Sequence, residues 1–174
     1  FFMQVLRMFT PYFLGASAAN FSERGGVINI AIEGFMIISA FSYAAITIFT
    51  QSPFTGLAGA LIIGILFSLL YSLFTIKLKI NQIVIGVGFN LLMAGLAKFL
   101  MLLFFQSSSN TPAFPSVPKI PYFSSIPLIG DLMGDSIIIF SLLLVFISQI
   151  VIYKTKFGLR LRSVGENPEA SETL

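Results

Sequence analysis

The sequence predicts an all-α integral membrane protein, a polytopic helical bundle with about five spans and a short cytoplasmic helix after the last one. Three observations carry this. The first is composition: of 174 residues, 56% are hydrophobic and 10% charged, against about 25% charged in a soluble domain. So little polar surface cannot face water on every side. The second is the spread of the charges, none of which falls between Glu33 and Lys77 or between Asp135 and Lys154. Such runs read as membrane-crossing helices, because about 20 residues rising 1.5 Å each cover a hydrocarbon core of roughly 30 Å. The third is that the basic residues sit at the ends of the apolar runs. Positive charge placed there orients a membrane protein, so no nucleic-acid partner is expected.

The first run covers residues 2–21, with Arg7 near one end and Pro11 inside. Proline is tolerated in a membrane helix where neighbours satisfy the carbonyl it frees. The segment SERGGVIN interrupts with Glu23, Arg24 and two glycines. The second run, 28–50, breaks at Gln51–Pro53; the third, 56–76, is closed by Lys77 and Lys79; the fourth is 83–105. Residues 106–135 read as a loop in which Pro112, Pro115, Pro118 and Pro121 recur every third residue, the turn of polyproline II. The last run is 136–153, and 154–174 reads as a basic loop leading into a short helix.

Five crossings alternate sides. With the C-terminal tail cytoplasmic, Arg24, Lys77, Lys79, Lys154, Lys156, Arg160 and Arg162 share its side, while Arg7 and Lys119 take the other. Seven against two is the asymmetry of the positive-inside rule, and it puts the proline-rich loop outside. One point stays open: residues 22–34 form either a loop or a re-entrant broken helix, and the second would spoil simple alternation.

Cysteine and histidine are both absent, which excludes disulfides, thiol nucleophiles, imidazole bases and His/Cys metal sites; no metal site is expected. No signal peptide is visible, and Phe1 is no initiator, so the chain reads as a fragment of a longer protein. Asp131 and Asp135, four apart on one loop, are poorly placed for an aspartyl dyad built from two spans, so no catalytic residue is expected.

Ionisable groups in a span cost from ~2.5 kcal/mol upward and normally face a bundle interior or a water-filled cavity. Glu33 follows Asn29 by four residues, so the two are expected on one helix face. They either line a solute path, or Glu33 anchors a helix end at the interface beside Arg24. In the fourth run Gly86, Asn90, Ala94 and Ala97 recur every three or four residues. A small-residue stripe lets helices approach closely, and an amide within it can hydrogen-bond across. Gly86, Ala94 and Ala97 are therefore packing candidates, whereas Asn81, Gln82 and Asn90 are candidates for a solute pathway, where interrupted helices present backbone groups to ligands. Lys98 lies about 10 Å of helix from the outer end of its run, within reach of the interface through its long stem.

The tail, GENPEASETL, begins with Gly165 for a sharp turn, Asn167 as an N-cap and Pro168 at the first helical position. Glu169 and Glu172 then fall near the positive end of the helix dipole. On these grounds alone, a handle gripped by a soluble partner and a surface helix held by anionic lipid are both open.

The blocks SERGGVINIAIEG, NQIVIGVGFNLL and TKFGLRLRSVGENPEAS, in that order, resemble the permease subunit of bacterial ABC importers for nucleosides and simple sugars, a branch of the superfamily that includes the branched-chain amino acid and monosaccharide permeases. The likeness runs from about Thr10 to Leu174 and implies that a C-terminal part is missing. It implies that Gly165, Glu166, Asn167, Pro168, Glu169 and Ala170 belong to a cytoplasmic coupling helix docking on an ATPase, with the solute path near Asn29, Glu33, Asn81, Gln82 and Asn90. It further implies a multi-pass protein of the bacterial inner membrane. Its partners would be an ATP-binding cassette subunit, a second and paralogous permease chain, an extracytoplasmic substrate-binding protein and membrane lipid. The chain has no G-x-x-x-x-G-K-[ST] loop, so it carries no cofactor of its own, and ATP and Mg would sit on the partner. The alternative is an ion-coupled secondary transporter or channel with no ATPase, using Glu33 and Lys98. A structural adaptor is the third class.

Overall fold

The computed structural model describes residues 2–107, 110–115, 117 and 136–168. Six α-helices account for most of them: α1 Phe2–Arg24, α2 Ile32–Thr50, α3 Pro53–Ser72, α4 Gln82–Phe105, α5 Ser136–Lys154 and α6 Lys156–Glu166. They fall into two compact units, one of residues 1–28 with 117–174 and one of residues 29–116.

In the first unit α1 packs against α5 and α6. Hydroxyls inside α1 bond back to their own helix, Thr10 to the Leu6 carbonyl at 2.8 Å and Ser17 to the Phe13 carbonyl at 3.0 Å, so neither is left unsatisfied. The helix stops at Gly25–Gly26. Gly26 has φ +80°, the left-handed conformation that glycine adopts without a Cβ penalty. The amide of Gly26 then bonds the Glu23 carbonyl at 3.0 Å, and that of Val27 bonds the Ser22 carbonyl at 2.9 Å. This is the paired closure of a Schellman cap. At the other end of the unit, α5 turns sharply into α6. Thr155 is extended, donates to the Val151 carbonyl and accepts from the Gly158 amide at 3.2 Å, so one hydroxyl joins the two helices.

In the second unit α2, α3 and α4 pack together. Gln51 closes α2 in the left-handed region, Ser52 is extended, and Pro53 opens α3, where its fixed φ suits the first turn. Thr47 meets Gly56, Ile46 meets Gly59 and Ser39 meets Gly64, so α2 and α3 run antiparallel. Gly56 lies so close to the buried Thr47 hydroxyl that any side chain there would overlap it. The last turn of α3 widens into a π-helix at Leu73–Lys77. Asn81 then caps α4, its Oδ1 accepting from the amides of Ile83 at 2.9 Å and Val84 at 3.4 Å. The rings of Phe35, Tyr71, Phe74 and Phe89 meet edge to face between the three helices, with centroids 5.4 to 6.2 Å apart. Phe114, from the proline-rich segment, packs edge-on against Tyr43 at 5.8 Å.

The structure corrects four sequence expectations. Among the described residues, four helical stretches are long and apolar enough to cross a membrane: Ile32–Thr50, Pro53–Lys77, Gln82–Phe105 and Ile137–Lys154. The run at 2–21 is long enough, but with Gln4, Arg7, Thr10, Ser17 and Asn20 it is too polar to join them. The run placed at 28–50 becomes helical only at Ile32, because residues 27–29 are neither helix nor turn. Asn29 therefore does not share a helix face with Glu33. The stretch from 154, expected to be a loop, is helical over Lys156–Glu166, and Asn167 first serves as the C-cap of that helix. Residues 118–135, including Lys119, Asp131 and Asp135, lie outside the described residues, as do Glu169, Ala170 and Glu172.

Candidate functional site

Two constellations stand out, one in each unit. In the first, the end of α1 grips α6. A Cβ on Gly25 would lie 3.1 Å from Leu161, and one on Gly26 would lie 3.2 Å from the Gly165 Cα. A Cβ on Gly165 would overlap the carbonyl oxygen of Arg24. Gly26 and Gly165 thus let the backbones touch where the SERGG and SVGEN segments cross, and any larger residue would separate them. Beside this contact Arg24 donates to the Tyr153 hydroxyl at 3.0 Å. The guanidiniums of Arg24 and Arg162 lie 5.7 and 5.4 Å from the centroid of the same Tyr153 ring, within the range of cation–π attraction. Glu166 is exposed, and Asn167 has φ −152° and ψ 98°. That extended geometry also suits the residue before a new helix, and Pro168 is helical.

In the second unit, Asn90 of α4 serves the start of α2. The first amides of a helix have no partner within it, and the residue before α2 is Ala31, which has no capping side chain. Asn90 supplies the acceptor instead: its Oδ1 takes the Gly34 amide at 2.7 Å, and its Nδ2 donates to the Ile30 carbonyl at 2.9 Å. Close packing makes this possible. A Cβ on Gly34 would stand 2.9 Å from Asn90 Oδ1, and a Cβ on Gly86 would stand 2.9 Å from Ile30. Asn29 turns the preceding segment by accepting from the Ala31 amide at 3.1 Å. The non-helical backbone at Ile30 and Ala31 is thereby held by amide side chains, the condition under which broken helices persist in membranes.

A family model described as the branched-chain amino acid transport system / permease component matches residues 1–174. The chain belongs to that family. It is 35% identical over 175 residues to the nucleoside ABC transporter permease protein NupC of Lactococcus lactis subsp. cremoris, covering 95% of this chain and 55% of that protein. To the guanosine ABC transporter permease protein NupQ of Bacillus subtilis it is 37% identical over 176 residues, covering 94% of this chain and 55% of that protein. A putative glucose ABC transporter permease protein of Haloferax volcanii is 31% identical over 158 residues, 88% of this chain and 47% of that protein. The chain spans about half the length of the curated relatives it matches. No solved structure matches it.

Within this permease-family chain, the residues singled out from sequence fall into separate groups. Asn29, Glu33 and Asn90 gather around the start of α2, where Glu33 is exposed in the first turn. Asn81 and Gln82 lie at the start of α4, about 13 Å of helix from Asn90. The Gln82 carbonyl accepts from the Tyr71 hydroxyl at 3.4 Å. Gly86 and Ala97 are buried with Phe89 and Met93 along one face of α4, Ala94 is half-buried beside them, and Lys98 is exposed. Of the tail residues, Gly165 meets α1, while Glu166, Asn167 and Pro168 are exposed. Sequence reasoning missed Tyr153, Thr155 and Gly158. Thr155 three residues before Gly158 is a legible cap signal, whereas the pairing of Tyr153 with Arg24 has none.

Proposed function

We propose that this chain is part of the transmembrane permease subunit of an ABC importer that carries nucleosides across a bacterial cytoplasmic membrane. The observation that carries the reading is its likeness, over nearly its whole length, to two permeases named for a nucleoside and for guanosine. The relative named for glucose is less similar, which favours nucleosides over sugars.

The geometry supports a route for the drive. Gly165, the first residue of the segment expected to dock on the ATPase, lies against the Arg24 carbonyl at the end of α1. A push on that segment reaches α1 through Gly165 and α5 through the Thr155 corner. In this reading a separate cassette subunit holds ATP and Mg, a second and paralogous permease chain completes the pathway, and an extracytoplasmic binding protein delivers solute. The chain itself moves solute and does no bond chemistry. Replacing Glu169→Lys in the full-length protein, expressed with its ATPase, is expected to abolish solute-stimulated ATP hydrolysis while membrane insertion stays intact. Stimulation at the unaltered level would count against docking through this segment.

A further inference from the structure

We propose that α6 is also an interfacial strap, binding the acidic phospholipid headgroups of the leaflet in which α5 ends. The inference depends on α5 spanning the membrane and is independent of the solute carried. Its placement comes from the corner. The apolar stretch Ile137–Lys154 is long enough to cross the bilayer, and α6 starts after a single intervening residue, Thr155, at Lys156. Gly158 lies so close to the Val151 and Ile152 carbonyls that a Cβ there would overlap both. The first turn of α6 is therefore fixed against the last turn of the span, at the level where hydrocarbon gives way to headgroups.

The surface of α6 matches that level. Gly158 and Gly165 lie on the side packed against the unit's own backbone. Next to that side Phe157, Leu161 and Val164 follow at the spacing of one helical stripe, and Phe157 is 60% exposed. Beside the apolar stripe run Lys156 and Arg160, four apart and both exposed, with exposed Lys154 at the span end. Leu159, on the far flank of the basic pair, is exposed too. Arg24 and Arg162 add two further cations at Tyr153. Among the described residues, the nearby acids are Glu23 at the end of α1 and Glu166 at the far end of α6. An apolar stripe bordered by basic residues suits the boundary between acyl chains and anionic headgroups, the stems lying along hydrocarbon and the charges reaching phosphate. That charge complementarity, at a level fixed by the span, favours lipid over a soluble subunit.

The chain contains no cysteine, so a nitroxide on Phe157→Cys reports on this stripe. The full-length permease carrying it would be placed in nanodiscs of phosphatidylcholine, with and without phosphatidylglycerol and with and without its ATPase. Collision with an aqueous nickel chelate and with oxygen reads its depth. The expected result is shielding from nickel in the anionic discs without ATPase, weaker in the neutral discs. In Lys156→Gln/Arg160→Gln the preference for anionic lipid should fall about fivefold per basic residue removed. A second label on Leu103→Cys, on the exposed side of α4, should read the same in every variant if the fold is kept. Equal shielding in both lipids, free access for nickel in both, or shielding that appears only with the ATPase bound would overturn the proposal.

Discussion

Asn90 is the residue whose sequence and structural readings differ most. Its type and position in an apolar helix mark it as a polar group needing a use, and a solute path is one use. The structure supplies another, since both ends of its amide serve the backbone around α2. Replacing it by alanine would leave the Gly34 amide and the Ile30 carbonyl without those bonds, one part-buried and one exposed, a loss of about 0.5–1.5 kcal/mol for each. Asn90→Ala is therefore expected to lower the thermal unfolding temperature in detergent. A variant of unchanged stability with weakened solute affinity would instead make Asn90 a ligand contact. An amide bonding across the small-residue stripe is legible in the sequence, but its partners are not, because Asn90 and Gly34 are 56 positions apart and helical spacing relates only near neighbours. Tyr153 was invisible for the same reason, its partner Arg24 being 129 positions away. Tyr153→Phe keeps the ring under both guanidiniums and removes the acceptor, so a cost below about 1 kcal/mol is expected in the same assay.

At the scale of elements, the local punctuation was readable and the long-range contacts were not. α3 and α4 start at the edges of the breaks read at Gln51–Pro53 and after Lys79, with Pro53 at the first position and Asn81, a solute-path candidate in the sequence, acting instead as a cap within one turn. The segment after Lys154 was read as a loop because its charges break the apolar run. Its helix is held by the Thr155 cap and by Gly158 and Gly165 fitting against neighbouring backbone. The cap is local, and losing it in Thr155→Val should cost about 1 kcal/mol. The glycine contact is tertiary, so Gly165→Val should be more severe, since the new side chain would meet the Arg24 carbonyl. Limited proteolysis near α6 reads both variants: faster cleavage in Gly165→Val than in Thr155→Val is expected, and equal rates would deny the crossing its structural role.

For the whole molecule, composition alone placed the chain in a membrane, and the structure agrees in the four long apolar helices. Along α3, Leu61, Ile62, Ile65, Leu66 and Leu69 are all more than half exposed, an arrangement that water would oppose and lipid accepts. Ile65→Arg, near the middle of this stretch, is expected to cost about 2.5–3.5 kcal/mol on insertion scales, seen as a lower inserted fraction in a glycosylation-mapping assay. The drive for transport is the part that no span reveals, since α2 to α5 would serve an ATP-driven or an ion-driven protein equally well. The most direct measurement is nucleoside uptake into proteoliposomes holding the full-length permease and its copurified partners, with proton and sodium gradients collapsed by ionophores. Uptake that requires ATP and survives the ionophores is the expected result. Uptake that proceeds without ATP and vanishes when the gradients collapse would contradict it.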